Sequence, residues 1–490
     1  MQRKPVVIIG AGPAGLTAAY ELTGKGVACT VLEMDSIVGG LARTEEYRGY
    51  RFDMGGHRFH TKVQVVDRMW REVLGADFLK RRRLSRVYYG DRYFRYPLEP
   101  LDALRGLGLL EALHCAASYL KACVFPRRQE ENLEDWLTNR FGARLYQLFF
   151  RTYTEKVWGI PCNRIGAEWG AQRIRGLSIG ALVREWLRPW SRARPRGKLT
   201  TLIQEFDYPR EGPGMMWTRT AEIVQRQGGR LVMQAPVSRV EWKPGAVERV
   251  QAGPEWYEGT HFLSSMPIRE LISAMTPAPP QEVREAADRL RYRDFLTVAL
   301  MMRGPNLFPD NWIYVHSPEV RVGRIQNYGN WSADMLPDPD AVCLGMEYFC
   351  FENDSLWNTP DTDLIRLATQ ELGRLKLVEP GRVMDGTVRR IRKAYPVYDD
   401  SCQQALAVIR RFLEGLPNLQ LVGRNGMHRY NNQDHSMLTA MLAARNILGS
   451  NYDLWRVNTE MEYLEEGFLI TEAELAAFEH SQPQAPFQAR

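Results

Sequence analysis

The chain has 490 residues, a formal net charge of +6 and 44% hydrophobic residues. Such a length and composition are typical of a folded protein of two or three domains, and they exclude a disordered or fibrous chain. Because 64 basic residues nearly balance 58 acidic ones, the charge argues against a dedicated nucleic-acid-binding protein. Seven cysteines without a C-x-x-C pair, and no signal peptide, predict a cytoplasmic protein without disulfides.

The stretch from residue 6 to residue 15 predicts a turn that binds a dinucleotide. A β-branched apolar run typical of a buried parallel strand leads into Gly10, Gly12 and Gly15, with the small Ala14 between the last two. In this G-x-G-x-x-G pattern the glycines allow a sharp turn, a close approach to a pyrophosphate and tight packing of the next helix. The positive N-terminus of that helix would face the pyrophosphate.

Glu33 follows a second predicted strand, 28–32, at the spacing expected for a carboxylate that binds ribose hydroxyls. Such a carboxylate would repel a 2′-phosphate, which disfavours NADP and leaves both FAD and NAD open at this site.

The residues after the second strand favour FAD over NAD. Gly39 and Gly40, and later Gly56, suit the close approach of a bulky planar cofactor, while Arg43 can reach phosphate or ring oxygens. His57 comes directly after a Gly-Gly pair, where it either lies near the flavin or serves as a local structural residue. Both interpretations of His57 stay open.

The rest of the chain predicts a helical insertion and a second sheet. Residues 64–195 have mostly helical periodicity, interrupted by a hairpin at 87–94. Strand patterns occur at 228–240, 261–267, 297–302, 312–315, 342–349 and 419–423. A helix predicted at 436–448 contains small residues that would let it lie close to the cofactor, where its positive N-terminal end would stabilise a reduced flavin.

Basic clusters at 80–86 and 184–198 could attract phosphate or an anionic membrane surface, although solvated helix faces are the simpler interpretation. The stretch 104–125 is the most membrane-like one, but charged residues and a histidine interrupt it, which predicts a buried or surface-docked helix. A cytoplasmic location therefore leaves room for peripheral contact with the inner face of the membrane.

These patterns predict an α/β fold with a Rossmann-like FAD-binding domain, a helical insertion and a second, mixed or antiparallel sheet. The predicted FAD-binding domain is discontinuous and takes residues 1–75, 200–280 and 385–450. Residues 76–199 form the predicted helical substrate domain, 281–384 the β-sheet substrate domain, and 451–490 a C-terminal helix with a flexible tail.

Residues 6–57 resemble the glutathione-reductase-like class of FAD enzymes, which includes amine oxidases and protoporphyrinogen oxidases. The segment Tyr153-Thr-Glu-Lys-Val-Trp158-Gly-Ile-Pro161, followed by Arg173, is similar to the nucleotide-sugar region of UDP-galactopyranose mutases. In that family the tryptophan lies at the uridine and sugar, and the arginine holds the pyrophosphate.

Three further segments are similar to the same family: 86–97, 312–328, and 429–436, which resembles the flavin-contacting segment of the eukaryotic branch. The resemblance implies catalytic roles for His57, Arg173 and Arg324, and substrate contacts at Tyr96, Thr154, Trp158, Tyr314, Tyr328 and Tyr430. It implies FAD contacts at Gly10, Gly12, Ala14, Gly15, Glu33, Gly39, Gly40, Arg43, Gly56, Val237, Gly423, Asn432, Gln433 and Ser436.

The implied activity is a redox-neutral pyranose/furanose interconversion of a UDP-sugar through an adduct between the sugar and N5 of reduced FAD. In the family the reductant is a transiently bound nicotinamide, NADH or NADPH. Two arginines can clamp a diphosphate with charge-assisted bonds, and tyrosines add neutral donors. Glu99 and Thr154, however, stand where the eukaryotic mutases have amides, so another nucleotide sugar or a lipid-linked sugar stays open as substrate.

Two other functions compete with the mutase. One is an FAD-dependent oxidase or desaturase that acts on an apolar or lipid-linked substrate, which the helical insertion and its Trp/Arg-rich segment suggest. The other is a flavoprotein retained for binding after its chemistry was lost. The sequence shows no metal-binding constellation, and it leaves the sugar, the base and the oligomeric state open.

Overall fold

The structure, a computed structural model, describes residues 4–96, 106–167, 205–399, 401–457 and 471–478. The helices are α1 Pro13–Thr23, α2 Gln64–Leu74, α3 Leu109–Val124, α4 Leu133–Phe141, α5 Ala143–Leu145, α6 Thr152–Trp158, α7 Gly214–Arg226, α8 Ile268–Ala274, α9 Gln281–Arg289, α10 Tyr328–Trp331, α11 Asp361–Arg374, α12 Cys402–Leu413, α13 Gly423–Gly426 and α14 Gln433–Ile447. A π-helical turn, Tyr146–Arg151, joins α5 to α6.

The strands are β1 Val6–Ile9, β2 Cys29–Leu32, β3 Thr44–Tyr47, β4 Tyr50–Asp53, β5 Phe78–Arg82, β6 Ser85–Tyr89, β7 Arg92–Arg95, β8 Glu205–Pro209, β9 Arg230–Val232, β10 Val237–Lys243, β11 Ala246–Ala252, β12 Glu255–Glu258, β13 Phe262–Ser264, β14 Met275–Thr276, β15 Tyr292–Arg303, β16 Trp312–Val315, β17 Arg324–Asn327, β18 Ala341–Cys350, β19 Val383–Pro396 and β20 Leu419–Leu421.

A five-stranded parallel sheet in the order β20-β13-β1-β2-β9 forms the cofactor-binding core. Every residue of β1 is buried because both faces of a parallel sheet are covered, which explains its uninterrupted β-branched sequence. The predicted strands at the N-terminus and at 261–267 and 419–423 are confirmed. The predicted α/β fold of an FAD-binding flavoprotein is confirmed with them.

The segment 228–240 was expected to be one strand, and this expectation is wrong. The structure divides it into β9, an edge strand of the parallel sheet, and β10, which belongs to a separate four-stranded sheet in the order β12-β11-β10-β14. Gln234 lies between them with a left-handed φ of 54°, and its N–H donates to the Asp35 carbonyl oxygen. This turn redirects the chain from one sheet to the other.

A seven-stranded sheet in the order β19-β15-β18-β17-β16-β6-β7 carries the candidate site residues Tyr314 and Arg324. The predicted strands at 297–302, 312–315 and 342–349 are confirmed as parts of β15, β16 and β18. The sheet crosses two predicted domain borders, because it takes the hairpin β6–β7 from the segment 76–199 and β19 from the segment that begins at residue 385. The predicted hairpin turn at Gly90 and Asp91 is confirmed.

Helices α3 to α6 lie in the described part of the predicted helical insertion. The predicted helix at 436–448 is confirmed as α14, which begins three residues earlier and is buried from Asp434 to Ala444. In the described part of the segment 451–490, where a C-terminal helix was expected, Ala473–Phe478 is a 3₁₀ segment. Within the described ranges, none of the helices has the length and apolar character that a membrane crossing requires.

Candidate active site

The dinucleotide turn between β1 and α1 leaves no room for side chains. Gly10 has a φ of +97°, and a Cβ atom there would lie 2.3 Å from the Ser265 Oγ. A Cβ atom on Gly15 would lie 1.8 Å from the Gly10 carbonyl oxygen, and one on Gly40 would lie 3.2 Å from the Cα of Gly12. These close approaches make a bare backbone cradle, which fits the pyrophosphate of FAD.

Glu33 lies at the end of β2, where burial raises the pKa of its carboxyl group. Its two oxygens accept the N–H groups of Ala11 (2.6 Å) and Asp35 (2.9 Å), and each oxygen keeps a second lone pair for a ribose hydroxyl. The Glu33 carbonyl oxygen accepts the Ala235 N–H at 2.7 Å, which brings the segment containing Val237 to the same place. Glu33 thus joins the turn to the start of β10.

Arg43 lies close to two carboxylates in this part of the site. Its Nη1 donates to Asp35 at 2.6 Å and its Nε to Glu45 at 2.7 Å. Its charge is therefore balanced within the protein, and contact between Arg43 and a cofactor phosphate stays a prediction.

The segment 423–436 closes the cofactor region from the far end of the chain. A Cβ atom on Gly423 would lie 3.0 Å from the Cβ of Ala14, so the segment packs directly on α1. Asn432 caps α14 with its side chain, and the Gln433 Oε1 accepts the Trp217 Nε1–H at 3.2 Å. Ser436 is buried in the first turn of α14. The predicted flavin residues at this end therefore form the N-terminus of a buried helix.

Three tyrosines, Tyr153, Tyr314 and Tyr395, interact with the charge of Arg324. Ring contacts connect them to three more aromatic side chains, and we call the whole set the aromatic cluster: Tyr96, Tyr153, Trp158, Tyr314, Tyr395 and Tyr430. Tyr314 lies between two tyrosines, with ring centroids 4.9 Å from Tyr96 and 5.5 Å from Tyr153. On the other side Tyr430 stacks on Tyr395 at 5.4 Å and lies 6.0 Å from Trp158. The structure thus brings together four of the predicted substrate residues.

Arg324 is paired with Glu347, its direct neighbour across β17 and β18. Arg324 Nε donates to one carboxylate oxygen of Glu347, and Gln326 Nε2 donates to the other at 2.9 Å. Burial raises the pKa of Glu347, and the guanidinium opposes that shift. Among the described residues, none accepts a hydrogen bond from the two terminal nitrogens of Arg324, so these remain available to a ligand.

His57 lies beside Arg324 as a neutral imidazole. Burial, and then the positive charges of Arg424 and Arg324, lower the pKa of His57 to about 3. Its Nδ1 is buried and, within the described ranges, has no hydrogen-bond partner. A Cβ atom on the adjacent Gly56 would lie 2.8 Å from Gln326 Nε2. Gly56 and His57 therefore lie between the segment 423–436 and the seven-stranded sheet.

The remaining predicted substrate residues lie outside the aromatic cluster. Tyr328 is 1% exposed, and its hydroxyl donates to the Asp53 carbonyl oxygen at 2.8 Å, so it does not join the other tyrosines. Thr154 is on α6 next to Tyr153. Arg173 lies outside the described residues, as does Glu99.

Tyr153, Glu347, Tyr395 and Arg424 belong to this site but were not predicted as site residues. The guanidinium of Arg424 lies 4.7 Å from the ring centroid of Tyr430 and 5.5 Å from that of Tyr395. The only sequence signal for these four residues was that Tyr153 lies in a segment similar to the mutase family. No sequence signal pointed to Glu347, because only strand register brings it to Arg324.

Among the residues that the structure describes, no group of three or more His, Cys, Asp or Glu side chains is placed to hold a metal ion. All seven cysteines are free thiols. The charged and hydrogen-bonding side chains that the structure brings together at this site include arginines, tyrosines and the neutral His57.

Comparison with known proteins identifies the family. The model of the flavin containing amine oxidoreductases matches residues 13–448. The structure is similar to reduced UDP-galactopyranose mutase, with a TM-score of 0.81, 20% identity and coverage of 95% of this chain and 99% of that one. A putative protoporphyrinogen oxidase from Exiguobacterium sp. 255-15 gives a TM-score of 0.71 at 16% identity, with coverage of 91% of this chain and 99% of that one.

Curated relatives match over shorter stretches. An L-amino-acid oxidase from Echis ocellatus is 34% identical over 136 residues, which cover 24% of this chain and 27% of that protein. An L-amino-acid oxidase from Crotalus adamanteus is 41% identical over 91 residues, 19% of this chain and 17% of that protein. The chain thus spans about a quarter or less of the length of these relatives. The family model, in contrast, covers most of the chain and agrees with the cradle for a dinucleotide: the chain belongs to the flavin-containing amine oxidoreductase family, and its cofactor is FAD.

Proposed function

We propose that this protein is an FAD-dependent nucleotide-sugar mutase, similar to UDP-galactopyranose mutase, that interconverts pyranose and furanose forms without net oxidation. One observation carries the proposal: the terminal nitrogens of Arg324 are available to a ligand in the middle of the aromatic cluster. A guanidinium flanked by neutral phenols suits a diphosphate between a flat base and a sugar.

The charge of the site supports an anionic ligand. Arg324 and Glu347 form one balanced pair. Arg424 donates to the carbonyl oxygens of Asn431 and Ala394, both at 2.9 Å, and no described carboxylate pairs with it, so one positive charge remains. In our proposal Arg173 supplies a second one, and the hydroxyls of Tyr96, Tyr314 and Tyr430 bind phosphate oxygens or the sugar without adding charge.

Each group of predicted residues has a role in this proposal. Reduced FAD, when bound, supplies an electron-rich ring for chemistry at the anomeric carbon, with NADH or NADPH as its reductant. The Gly10–Gly15 turn and Glu33 hold the adenosine diphosphate part, and the N-terminus of α14 stabilises negative charge on the ring. Neutral His57 donates or accepts one hydrogen bond at the ring edge, and Trp158 stacks on the base or sugar. We expect the protein to act in the cytoplasm, with any membrane contact peripheral.

The test compares the holoenzyme in its two redox states. The FAD-loaded protein is incubated anaerobically, oxidised or dithionite-reduced, with a panel of UDP-pyranoses, and the products are separated by chromatography and identified by NMR. We expect a furanose product in the reduced state only. Arg324→Met should abolish it, whereas Arg303→Met, which removes an arginine that is paired with Asp338 on the surface, should leave it unchanged. If neither UDP nor any nucleotide sugar binds at millimolar concentration, the mutase proposal fails.

The family match and the curated oxidases favour a second candidate, an oxidase. In this alternative Arg324 would bind the carboxylate of an amino-acid-like substrate, or the cluster would enclose an apolar or lipid-linked one. Oxygen uptake and hydrogen peroxide release on addition of L-amino acids, amines or polyprenyl-linked substrates would support the oxidase, and a redox-neutral product would exclude it.

A further inference from the structure

Lys156 holds a loop of the seven-stranded sheet against α6. Its ammonium donates to the carbonyl oxygens of Ser317 (2.6 Å), Val322 (3.2 Å) and Val315 (3.3 Å). An ammonium group has three N–H donors and no acceptor, so three carbonyl groups satisfy it completely. The contact is partly buried, unlike the contacts of an exposed surface lysine.

The loop that Lys156 binds joins the two strands that carry the substrate residues. Tyr314 lies on β16, one residue before Val315, whose carbonyl group is the first one bonded. Arg324 begins β17 two residues after Val322, whose carbonyl group is the last one bonded. On α6, Tyr153 lies three residues before Lys156, and its ring lies 5.5 Å from Tyr314. One ammonium group therefore links the three elements on which this half of the site is built.

The end of α6 is held by a second cation, Arg293, which is buried. Arg293 donates to the carbonyl oxygens of Val157 (3.2 Å), Lys156 (3.3 Å) and Phe349 (2.9 Å), and thus caps the helix and ties it to β18. Arg293 thus fixes the end of α6, whereas Lys156 fixes the loop 315–322. The two contacts hold different parts of the site.

Several charged or titratable groups face Lys156 from the surrounding elements. Glu371 on α11 accepts the N–H groups of Arg321 (2.6 Å) and Val322 (3.0 Å), which are in the same loop. His316 stacks on Tyr153, and burial, followed by the charge of Lys156, lowers its pKa to about 3, so it stays neutral. Glu155 on α6 pairs with Arg151 instead. No carboxylate among the described residues forms an ion pair with Lys156, and burial lowers the pKa of its ammonium group to about 8.

We propose that Lys156 is a positioning residue, which holds the loop 315–322 on α6 and thereby keeps Tyr314 and Arg324 beside Tyr153 in the geometry that binds substrate. The choice of a nucleoside diphosphate as the ligand rests on the proposed function. The claim that Lys156 holds the loop does not depend on that function.

The pH dependence separates this role from a merely stabilising one. Above pH 8 the amine has two N–H donors for three carbonyl groups, so the loop loses one bond and the site should loosen. The pKa of lysine in an unfolded chain is about 10.4. Between pH 8 and this value, Lys156 binds more protons in the unfolded protein than in the folded protein. The free energy of unfolding that Lys156 contributes therefore rises with pH in this range. A positioning role thus predicts that UDP affinity falls while the contribution of Lys156 to stability rises.

The experiment measures UDP affinity by calorimetry on the FAD-loaded protein at pH 7 and pH 9, and hydrogen exchange of the loop 315–322, corrected for intrinsic rates. Lys156→Met should weaken UDP binding about tenfold at pH 7, because three bonds to a charged donor are lost, and should abolish the difference between the two pH values. Lys156→Arg keeps a charged donor at pH 9, so its affinity should not fall between pH 7 and 9. Lys376→Met, which removes an exposed lysine paired with Asp91, is the matched control and should behave like the wild type.

The outcomes separate the two proposals. If Lys156→Met binds UDP as the wild type does and protects the loop equally, Lys156 is not a positioning residue. If the wild type does not bind UDP, the proposed function fails, and loop exchange still tests Lys156. If Lys156→Met does not fold, loop exchange in the wild type decides: equal protection at pH 7 and pH 9 overturns the inference.

Discussion

Replacement of Arg324 by Met should destabilise the protein by an amount that depends on pH. The change leaves Glu347, which is fully buried, without its cation. A lone carboxylate in that place takes up a proton, because burial already raises its pKa and the opposing guanidinium is gone. The free-energy cost is then that of protonating an ordinary glutamate: about 3.7 kcal/mol at pH 7 and about 1 kcal/mol at pH 5, from a reference pKa near 4.3.

The sign follows from proton counting. The folded variant keeps a proton on Glu347 that the unfolded chain releases above about pH 4.3, so stability falls as pH rises through that value. Urea unfolding of the holoenzyme, followed by tryptophan fluorescence at fixed FAD concentration, measures the difference from the wild type at pH 5 and pH 7. The double variant Arg324→Met/Glu347→Gln should regain most of the stability at pH 7 but no UDP binding. An equal loss at both pH values, or no recovery in the double variant, would refute this account of the pair.

Three other changes test other parts of the structure. Gly15→Ala should prevent FAD retention, because its Cβ would lie 1.8 Å from a backbone oxygen. Gly381→Ala is the control: its Cβ meets no atom within 4 Å, so this variant should retain FAD. The absorbance of the purified proteins at 450 nm measures the bound FAD. Tyr314→Phe should weaken UDP binding about fivefold without loss of stability. Tyr328→Phe should lower the free energy of unfolding by about 1 kcal/mol without a change in UDP binding. Calorimetry measures the UDP affinity, and urea unfolding measures the stability. Burial raises the pKa of Asp53 to about 7, so wild-type stability should fall by up to about 4 kcal/mol between pH 4 and 7 through this group, and Asp53→Asn should lack that part of the slope.

The cofactor half of the molecule was predictable because its signals are local. A buried parallel strand, the glycines of the turn and the small residues of the first helix lie within twenty residues of each other, and each has one favoured backbone role. The break between β9 and β10 was missed because it depends on Gln234, a non-glycine residue in a left-handed conformation that the Asp35 carbonyl holds in place. No local pattern predicts a contact of that range.

The substrate half was predictable only as a set of segments. The family-like motifs indicated Trp158, Tyr314 and Arg324, but the partner of Arg324 comes from strand register, which places residue 347 opposite residue 324. Tyr328 was predicted to contact the substrate, and the structure places it in the core, where its hydroxyl donates to the Asp53 carbonyl oxygen. Sequence spacing identifies the strand that carries a residue, and the sheet determines the face on which it functions.

The balance of charge around Arg324 bears directly on the choice between mutase and oxidase. Glu347 neutralises Arg324, so the described part of the site keeps one positive charge, that of Arg424, and a zwitterionic amino acid would need a further carboxylate partner for its ammonium group. Burial raises the pKa of Glu347, and its two oxygens are already bonded, so it is a poor candidate for that partner. A diphosphate with two negative charges needs the opposite, one more cation, which Arg173 would provide. The pairing of Glu347 with Arg324 and Gln326 is therefore easier to reconcile with a nucleotide sugar than with an amino acid.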